Sequence, residues 1–434
     1  MIDVRLIRED RDAVTAALGR RGVSPAQVAQ VAGLDAAARE VLQGQETMRA
    51  RVKELSRQVA EARRAKDDSS AATLTEESRT LGEQEREAAA AVERAQEALR
   101  EALLMLPNLP ADEAPVGGGP DDNLELRRWW PGCEDGAPFP EYAEPQRVPH
   151  WDVGASLGIL DMERGALLAG SMFPMFRKGG SRLLRALSAL SLDRNADAYE
   201  EIRPPTLVLT ETMTASGHVP RFADDGYHVE RDGLWAIPTA EVPLTSMHRG
   251  EILSEADLPM RFTAATACFR REAGAAGRDT RGALRTHEFD KVELFAYATA
   301  EQAPAIHAEI TERAEALVRA LELPYRVLDL CTGDLGDASA RTFDLEVYSP
   351  GCDRWLEVSS VSWYRDYQAR RANVRYRPVG GGQPVLCHTL NGSALGWART
   401  WAALIETGHQ ADGSVRLPGA LNPYFGGEAV IRPG

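Results

Sequence analysis

Between Cys268 and Glu293 the chain sets five arginines (Arg270, Arg271, Arg278, Arg281 and Arg285) among glycines, alanines and other small residues. That mixture makes a poor hydrophobic core. It suits a polyphosphate, because guanidinium groups stay charged and fork onto phosphate oxygens in pairs. Read by itself, the segment is a strand, a Gly/Arg-rich loop and a second strand, and composition alone slightly favours a solvated Arg-rich hairpin. Arginine has little competition for such a task here, since only four of the 50 basic residues are lysines. No Gly-Lys-Ser or Gly-Lys-Thr occurs, which excludes a P-loop, and no G-x-G-x-x-G follows a strand, which argues against a dinucleotide fold.

The elements that must carry this segment fall into two parts. Residues 1–108 read as a helical domain without aromatics. Met48, Val52, Leu55, Val59 and Ala62 step by four and three, the spacing of a coiled-coil seam. Asp67-Asp68-Ser69-Ser70 is expected to interrupt it as a turn. The seam resumes at Leu74, Leu81, Ala88, Val92, Ala95 and Leu99. Two such runs make an antiparallel hairpin, an arm over about residues 30–104, with each helix reaching about 50 Å at 1.5 Å per residue. Leu106-Pro107 ends the second helix. The outgoing helix is basic, with seven basic against two acidic residues from Arg49 to Lys66. The return is acidic, with eight Glu against four Arg from Glu76 to Glu101. Charge leaves two readings open: mutually compensating solvated faces, or a lever whose basic edge meets a phosphate backbone.

Residues 109–434 read as mixed α and β. Strands are expected at 289–297, 343–348, 355–361 and 384–390, and helices at 303–321 and 393–406, with Ser393 as a possible N-cap of the last. Gly380-Gly381-Gly382 reads as a hairpin turn. His287 and His388 have no ligand partners in sequence, and the five scattered cysteines form no zinc spacing and suit reduced core thiols. The net charge of −15 argues against a non-specific DNA coat or a membrane-surface protein. The N-terminus shows no apolar leader, so the expected location is the cytoplasm.

Four segments together resemble the class II aminoacyl-tRNA synthetases, in the form found in the seryl-tRNA synthetase family. Cys268 to Glu293 resembles motif 2. Leu390-Asn391-Gly392-Ser393-Ala394-Leu395-Gly396-Trp397-Ala398-Arg399-Thr400 resembles motif 3. Tyr199-Glu200-Glu201-Ile202-Arg203-Pro204-Pro205 resembles motif 1, and Pro238-Thr239-Ala240-Glu241-Val242-Pro243-Leu244 the serine-binding Thr-x-Glu loop. The hairpin is similar to the family's tRNA-binding arm. The resemblance implies an α+β fold: the coiled-coil hairpin, plus a class II catalytic domain with a mainly antiparallel mixed sheet flanked by helices.

It also implies a reaction. Serine's carboxylate attacks the α-phosphate of ATP, giving seryl-adenylate and pyrophosphate, and the terminal ribose hydroxyl of serine tRNA then takes the seryl group. The nucleophile is already ionised, so catalysis needs positioning and charge stabilisation rather than a base. By this resemblance Arg270, Glu272 and Arg399 are the catalytic residues. Arg270 holds the α-phosphate and the serine carboxylate, Glu272 receives the adenine amino group, and Arg399 pins the γ-phosphate. Serine meets Thr239, Ala240, Glu241, Arg270, Glu293, Asn391 and Ser393. ATP meets Arg270, Arg271, Glu272, Arg285, Thr286, Phe289 (stacked on the adenine), Glu357, Val358, Ser359, Ser360 and Arg399. Glu357 and Ser360 face Mg²⁺, for which oxygen ligands are suited. Polar groups that demand a hydroxyl would reject alanine.

Arg49, Arg51, Lys53, Arg57, Arg63 and Arg64 would meet the tRNA and its long variable arm, and Pro205 would lie at the interface of a homodimer. Neither a membrane nor DNA is an expected partner. Two departures from the family pattern, Trp363 after Ser359-Ser360 and Trp397 in motif 3, are expected to alter packing behind the Mg²⁺ and serine sites. They keep open a specialised paralogue, serving a biosynthetic pathway or resisting a serine-mimicking inhibitor. An amino-acid:carrier-protein ligase and a non-catalytic tRNA-binding protein are the other rivals.

Overall fold

A computed structural model describes residues 1–273 and 281–433. Arg278, one of the five arginines above, lies outside the described residues. The chain divides into two compact units, Ile2–Pro107 and Asn108 onward, with Met1 grouped with the second.

The first unit is helical throughout. After two short helices, Val4–Glu9 and Arg11–Gly19, come α1 (Pro25–Arg64) and α2 (Asp68–Leu104). Ser24 and Gln27 form a reciprocal capping box at the start of α1, with Pro25 in its first turn. The seam residues read from the heptads are buried or half-buried without exception, and Leu55 is fully buried. The turn falls earlier than expected. Lys66 takes the left-handed conformation (φ 58°), and Asp67 caps α2 by accepting from the Ser70 amide at 3.1 Å. Asp68, Ser69 and Ser70 are therefore the first turn of α2, because an N-cap aspartate starts a helix as readily as it breaks one. Arg51 pairs with Glu77 and Gln45 with Glu85 across the hairpin. Arg57 pairs with Glu54 along its own helix. Arg49, Lys53, Arg63 and Arg64 are exposed and have no side-chain partner among the described residues.

The second unit is built on an eight-stranded sheet. Its strands are β1 (Leu124–Trp129), β2 (Glu200–Glu201), β3 (Met260–Phe269), β4 (Glu288–Ala298), β5 (Tyr325–Asp329), β6 (Arg341–Ser349), β7 (Arg354–Trp363) and β8 (His388–Gly396). They lie in the order β1-β5-β6-β7-β8-β4-β3-β2. All pairs are antiparallel except β2 with β3. The helices around it include α3 (His150–Ser156), α4 (Lys178–Asn195), α5 (Ala303–Ala320) and α6 (Trp397–Gly408). Trp401 of α6 is fully buried in the main core, and its indole donates to the Gly180 carbonyl at 3.1 Å.

The last expected helix begins later than the sequence suggests. Residues 393–396 continue β8, and α6 starts at Trp397. Ser393 is thus not an N-cap but a strand residue opposite Glu293. Leu390–Leu395 are all buried, and Asn391, Gly392, Ser393 and Ala394 are residues of low strand propensity, so the sequence does not show that the strand continues. α5 covers one face, where a Cβ on Gly392 would fall 2.4 Å from Ile310. The glycines at 380–382 connect two short antiparallel strands, Arg375–Arg377 and Val385–Leu386, as the sequence suggests.

Candidate active site

A cavity of about 390 Å³ opens over the middle of the sheet. Its floor comes from alternate residues of three neighbouring strands: Phe289 and Lys291 on β4, Ser360 and Ser362 on β7, Asn391 and Ser393 on β8. Period-two alternation turns these side chains to one side. Thr239 and Glu241 enter from the segment leading into the helix Glu241–Ser246. Arg270, Glu272, Arg285 and Thr286 come from the loop between β3 and β4, and Arg399 from the first turn of α6.

The deep end is polar and buried. Glu293 is fully buried, and it accepts from the Thr239 hydroxyl, from Lys291 Nζ at 2.5 Å and from Asn391 Nδ2 at 3.2 Å. The same Asn391 amide donates to Glu241 at 2.9 Å, while Gln368 donates to the other Glu241 oxygen at 2.6 Å. Tyr364 fixes that amide by donating to Asn391 Oδ1 at 2.8 Å. Burial, and then the neighbouring Glu293 charge, push the Glu241 carboxyl up to about 7. Burial, with Arg270 and Lys291 nearby, pushes His218 down to about 3, so its imidazole is neutral. Among the described residues two carboxylates, Glu241 and Glu293, face one lysine, Lys291, here, so loss of the Glu241 proton adds a negative charge to this end. It is suited to a small cation that also bears a hydroxyl.

The shallow end is arginine-rich. The Arg270 guanidinium lies 5.0 Å from the centre of the Phe289 ring, Arg285 is paired with Glu272, and Arg399 pairs with Glu357 at 3.3 Å. Glu272 holds a left-handed backbone (φ 52°), a strained conformation for a residue with a Cβ. Beside Glu357, Asp344 stands opposite Ser360 in the sheet, and one of its carboxylate oxygens is buried with no hydrogen-bond partner among the described residues.

Most of the sequence-selected residues therefore meet in one place. Thr239, Glu241, Arg270, Glu272, Arg285, Thr286, Phe289, Glu357, Val358, Ser360, Asn391, Ser393 and Arg399 all line the cavity, and Glu293 is bonded to it from beneath. Three do not line it. Arg271 is exposed against the Asp224 carbonyl, Ala240 is fully buried, and Ser359 turns away to donate to the Ser393 carbonyl. Of the two tryptophans, Trp397 lines the cavity. Trp363 does not: its indole donates to His388 at 3.2 Å and Arg365 covers its ring. It stands between Ser362 and Tyr364, which do line the cavity, so strand alternation turns it away. His218, Lys291, Tyr364 and Gln368 were not selected as site residues. Lys291 alone carried a signal, a lysine two positions before Glu293 in a chain nearly free of lysine.

Residues 1–110 match the family model described as the seryl-tRNA synthetase N-terminal domain, and residues 227–408 match the tRNA synthetase class II core domain (G, H, P, S and T). A serine–tRNA ligase of Gemmatimonas aurantiaca is 45% identical over 98% of this chain and 99% of its own length. This chain belongs to the seryl-tRNA synthetase family. A second member, from a Geobacter species, is 43% identical over 99% of this chain and all of its own. Among solved structures, the seryl-tRNA synthetase of Pyrococcus horikoshii complexed with ATP superposes with a TM-score of 0.91 at 34% identity, covering all of both chains. The cytoplasmic serine-tRNA ligase of Naegleria fowleri in complex with AMP gives 0.85 at 26% identity, covering all of this chain and 99% of that one. The α+β class II architecture expected from the four motifs is the fold of the family. No helix among the described residues is long and apolar enough to cross a membrane.

Proposed function

We propose that this protein activates L-serine with ATP and transfers it to serine tRNA in the cytoplasm. The observation that carries the reading is the cavity's division into a buried Glu241–Glu293–Lys291 end and an arginine-lined end. The first offers carboxylate charge and hydroxyl partners to serine's ammonium and side chain. The second offers Arg270, Arg285 and Arg399 to a triphosphate. Serine's carboxylate would then lie between them, beside Arg270, in line with the α-phosphate. Arg270 would hold both reacting anions and take up the charge that grows on the pentacoordinate phosphorus. Arg270 lies over one face of Phe289 and Glu272 pairs with Arg285, so an adenine amino group bonding Glu272 would compete with Arg285 for that carboxylate. Glu357, Ser360 and the unpartnered Asp344 oxygen form a hard-oxygen donor set that fits Mg²⁺. When bound, that ion would neutralise phosphate charge.

Serine-dependent ATP–pyrophosphate exchange followed by charging of total tRNA tests the reading. Both are expected with serine and neither with alanine. Exchange without charging would instead favour a carrier-protein ligase, and absence of exchange a binding protein. Ordinary sensitivity to serine-mimicking inhibitors is expected of a housekeeping enzyme; resistance would favour the specialised paralogue and would point to Trp397, which lines the cavity, rather than to Trp363.

The raised Glu241 carboxyl sets a pH dependence. Below about pH 7 it is protonated in the free protein, and an incoming ammonium favours the ionised form. Binding must then expel a proton, so serine affinity is expected to fall up to tenfold per pH unit as pH drops below 7. Calorimetry in buffers of different ionisation enthalpy should show proton release at pH 6 and little at pH 8. Equal release at both would refute the assignment.

The homodimer is supported by a bare apolar face. Leu209, Leu234 and Val229 lie directly abreast across three short strands, Leu207–Leu209, Leu234–Ala236 and Tyr227–Val229, next to exposed Pro205. Leu207 and Leu209 are about half exposed, at 48% and 50%. Leu209→Glu is expected to convert the dimer to monomer in sedimentation at micromolar concentration. An unchanged dimer would place the interface elsewhere.

A further inference from the structure

His150 and Glu406 are both fully buried and lie outside the cavity. Glu406, in the last turns of α6, accepts at one oxygen from the His150 amide (3.0 Å) and from His150 Nδ1 (2.8 Å). At the other it accepts from the Ser349 hydroxyl and the Gly351 amide (3.0 Å). The opposite ring nitrogen, Nε2, accepts from the Ala283 amide at 3.2 Å. A backbone N–H can only donate, so Nε2 carries no proton and Nδ1–H points at Glu406. Cys352 also approaches, and the three groups lie within 4.8 Å of one another. The lone pair of Nε2 is nevertheless engaged and Nδ1 is a donor, which leaves no imidazole ligand for a metal.

Ala283 begins the return limb of the arginine-rich loop. The next residue, Leu284, accepts from Arg399 Nε at 3.3 Å, and Arg285 and Thr286 follow on the cavity wall. The return limb is thus tied twice to α6: directly by Arg399 and, through His150, by Glu406. The two are seven residues apart, so two helical turns set them on nearly the same face. Gly282 permits the approach, with φ 70° and a Cβ that would fall 2.4 Å from His150 Nε2. We infer that His150 positions the Ala283–Arg285 limb for ATP. It acts through the Ala283 amide, is itself oriented by Glu406, and touches no substrate. This rests on reading the cavity as the ATP site.

Two variants of the full chain separate the halves of the tie. His150→Asn keeps a donor at the Nδ1 position and leaves the Ala283 amide unmet. His150→Gln places a carbonyl oxygen near the Nε2 position and restores an acceptor. For active-site-titrated H150N, the KM for ATP in serine-dependent exchange is expected to rise about three- to tenfold, with the KM for serine within about twofold. Hydrogen exchange at the Ala283 amide should quicken. H150Q should recover most of both. Unchanged KM for ATP in folded H150N, or equal rises in both KM values, would overturn the inference. Wild-type protein without serine-dependent exchange would overturn the function reading instead.

Discussion

Arg270→Ala is expected to slow serine-dependent ATP–pyrophosphate exchange by about 10²- to 10³-fold, the cost of removing one preorganised charge donor from a developing oxyanion, about 2.7–4 kcal/mol. Of the arginines and lysines that line the cavity among the described residues, Arg270 alone has no carboxylate partner. Lys291 is engaged with Glu293 at the deep end, and Arg285 and Arg399 are paired with Glu272 and Glu357. The reaction brings a carboxylate onto a phosphate, so two anions must be held together before charge builds further. A guanidinium does this with two parallel bonds. An ammonium cannot, and Arg270→Lys is expected to recover only part of the loss. The fall should appear mainly in kcat, because the contact strengthens in the transition state, with smaller changes in either KM. An unchanged kcat with a raised KM for ATP would mean that Arg270 only binds the nucleotide.

Excising the hairpin from near Gln30 to near Leu104 is expected to abolish tRNA charging while leaving serine-dependent exchange within about twofold of wild type. The chain divides at Pro107/Asn108, and every residue proposed for adenylate chemistry lies beyond that point. Loss of both activities would contradict the division of labour. A gentler variant keeps the hairpin and reverses Arg49, Lys53, Arg63 and Arg64 to Glu. These four side chains hold no partner in the hairpin, so the helices should survive, as judged by circular dichroism. The KM for tRNA should rise at least about tenfold, and the slope of log affinity against log salt should fall by about one per residue removed. If binding and salt slope both persist, the basic edge is only a solvated face balanced by the acidic return helix. Charge alone leaves that reading open.

Much of this protein is legible in its residues. The hairpin is, because heptad spacing is a local rule and α1 and α2 bury the side chains it selects. So are the two strands that flank the arginine-rich segment, Met260–Phe269 and Glu288–Ala298. Three of the four family segments supply most of the side chains that line the cavity. What the sequence by itself does not determine is everything that depends on which strand lies beside which. Ser393 reads as a helix cap until β8 is seen pairing with β4. Gln368 and Tyr364 join Glu241 and Asn391 only because the helix Tyr367–Ala372 and the end of β7 close the deep end of the cavity. Trp363 and Trp397 look like equal disturbances, yet alternation turns the first away and the start of α6 turns the second in. The link from Glu406 through His150 to Ala283 joins residues 256 and 133 positions apart. Local pattern reports what a residue can do. Its protonation, its partner and its reach follow from burial and neighbours, and those exist only once the sheet has brought distant segments together.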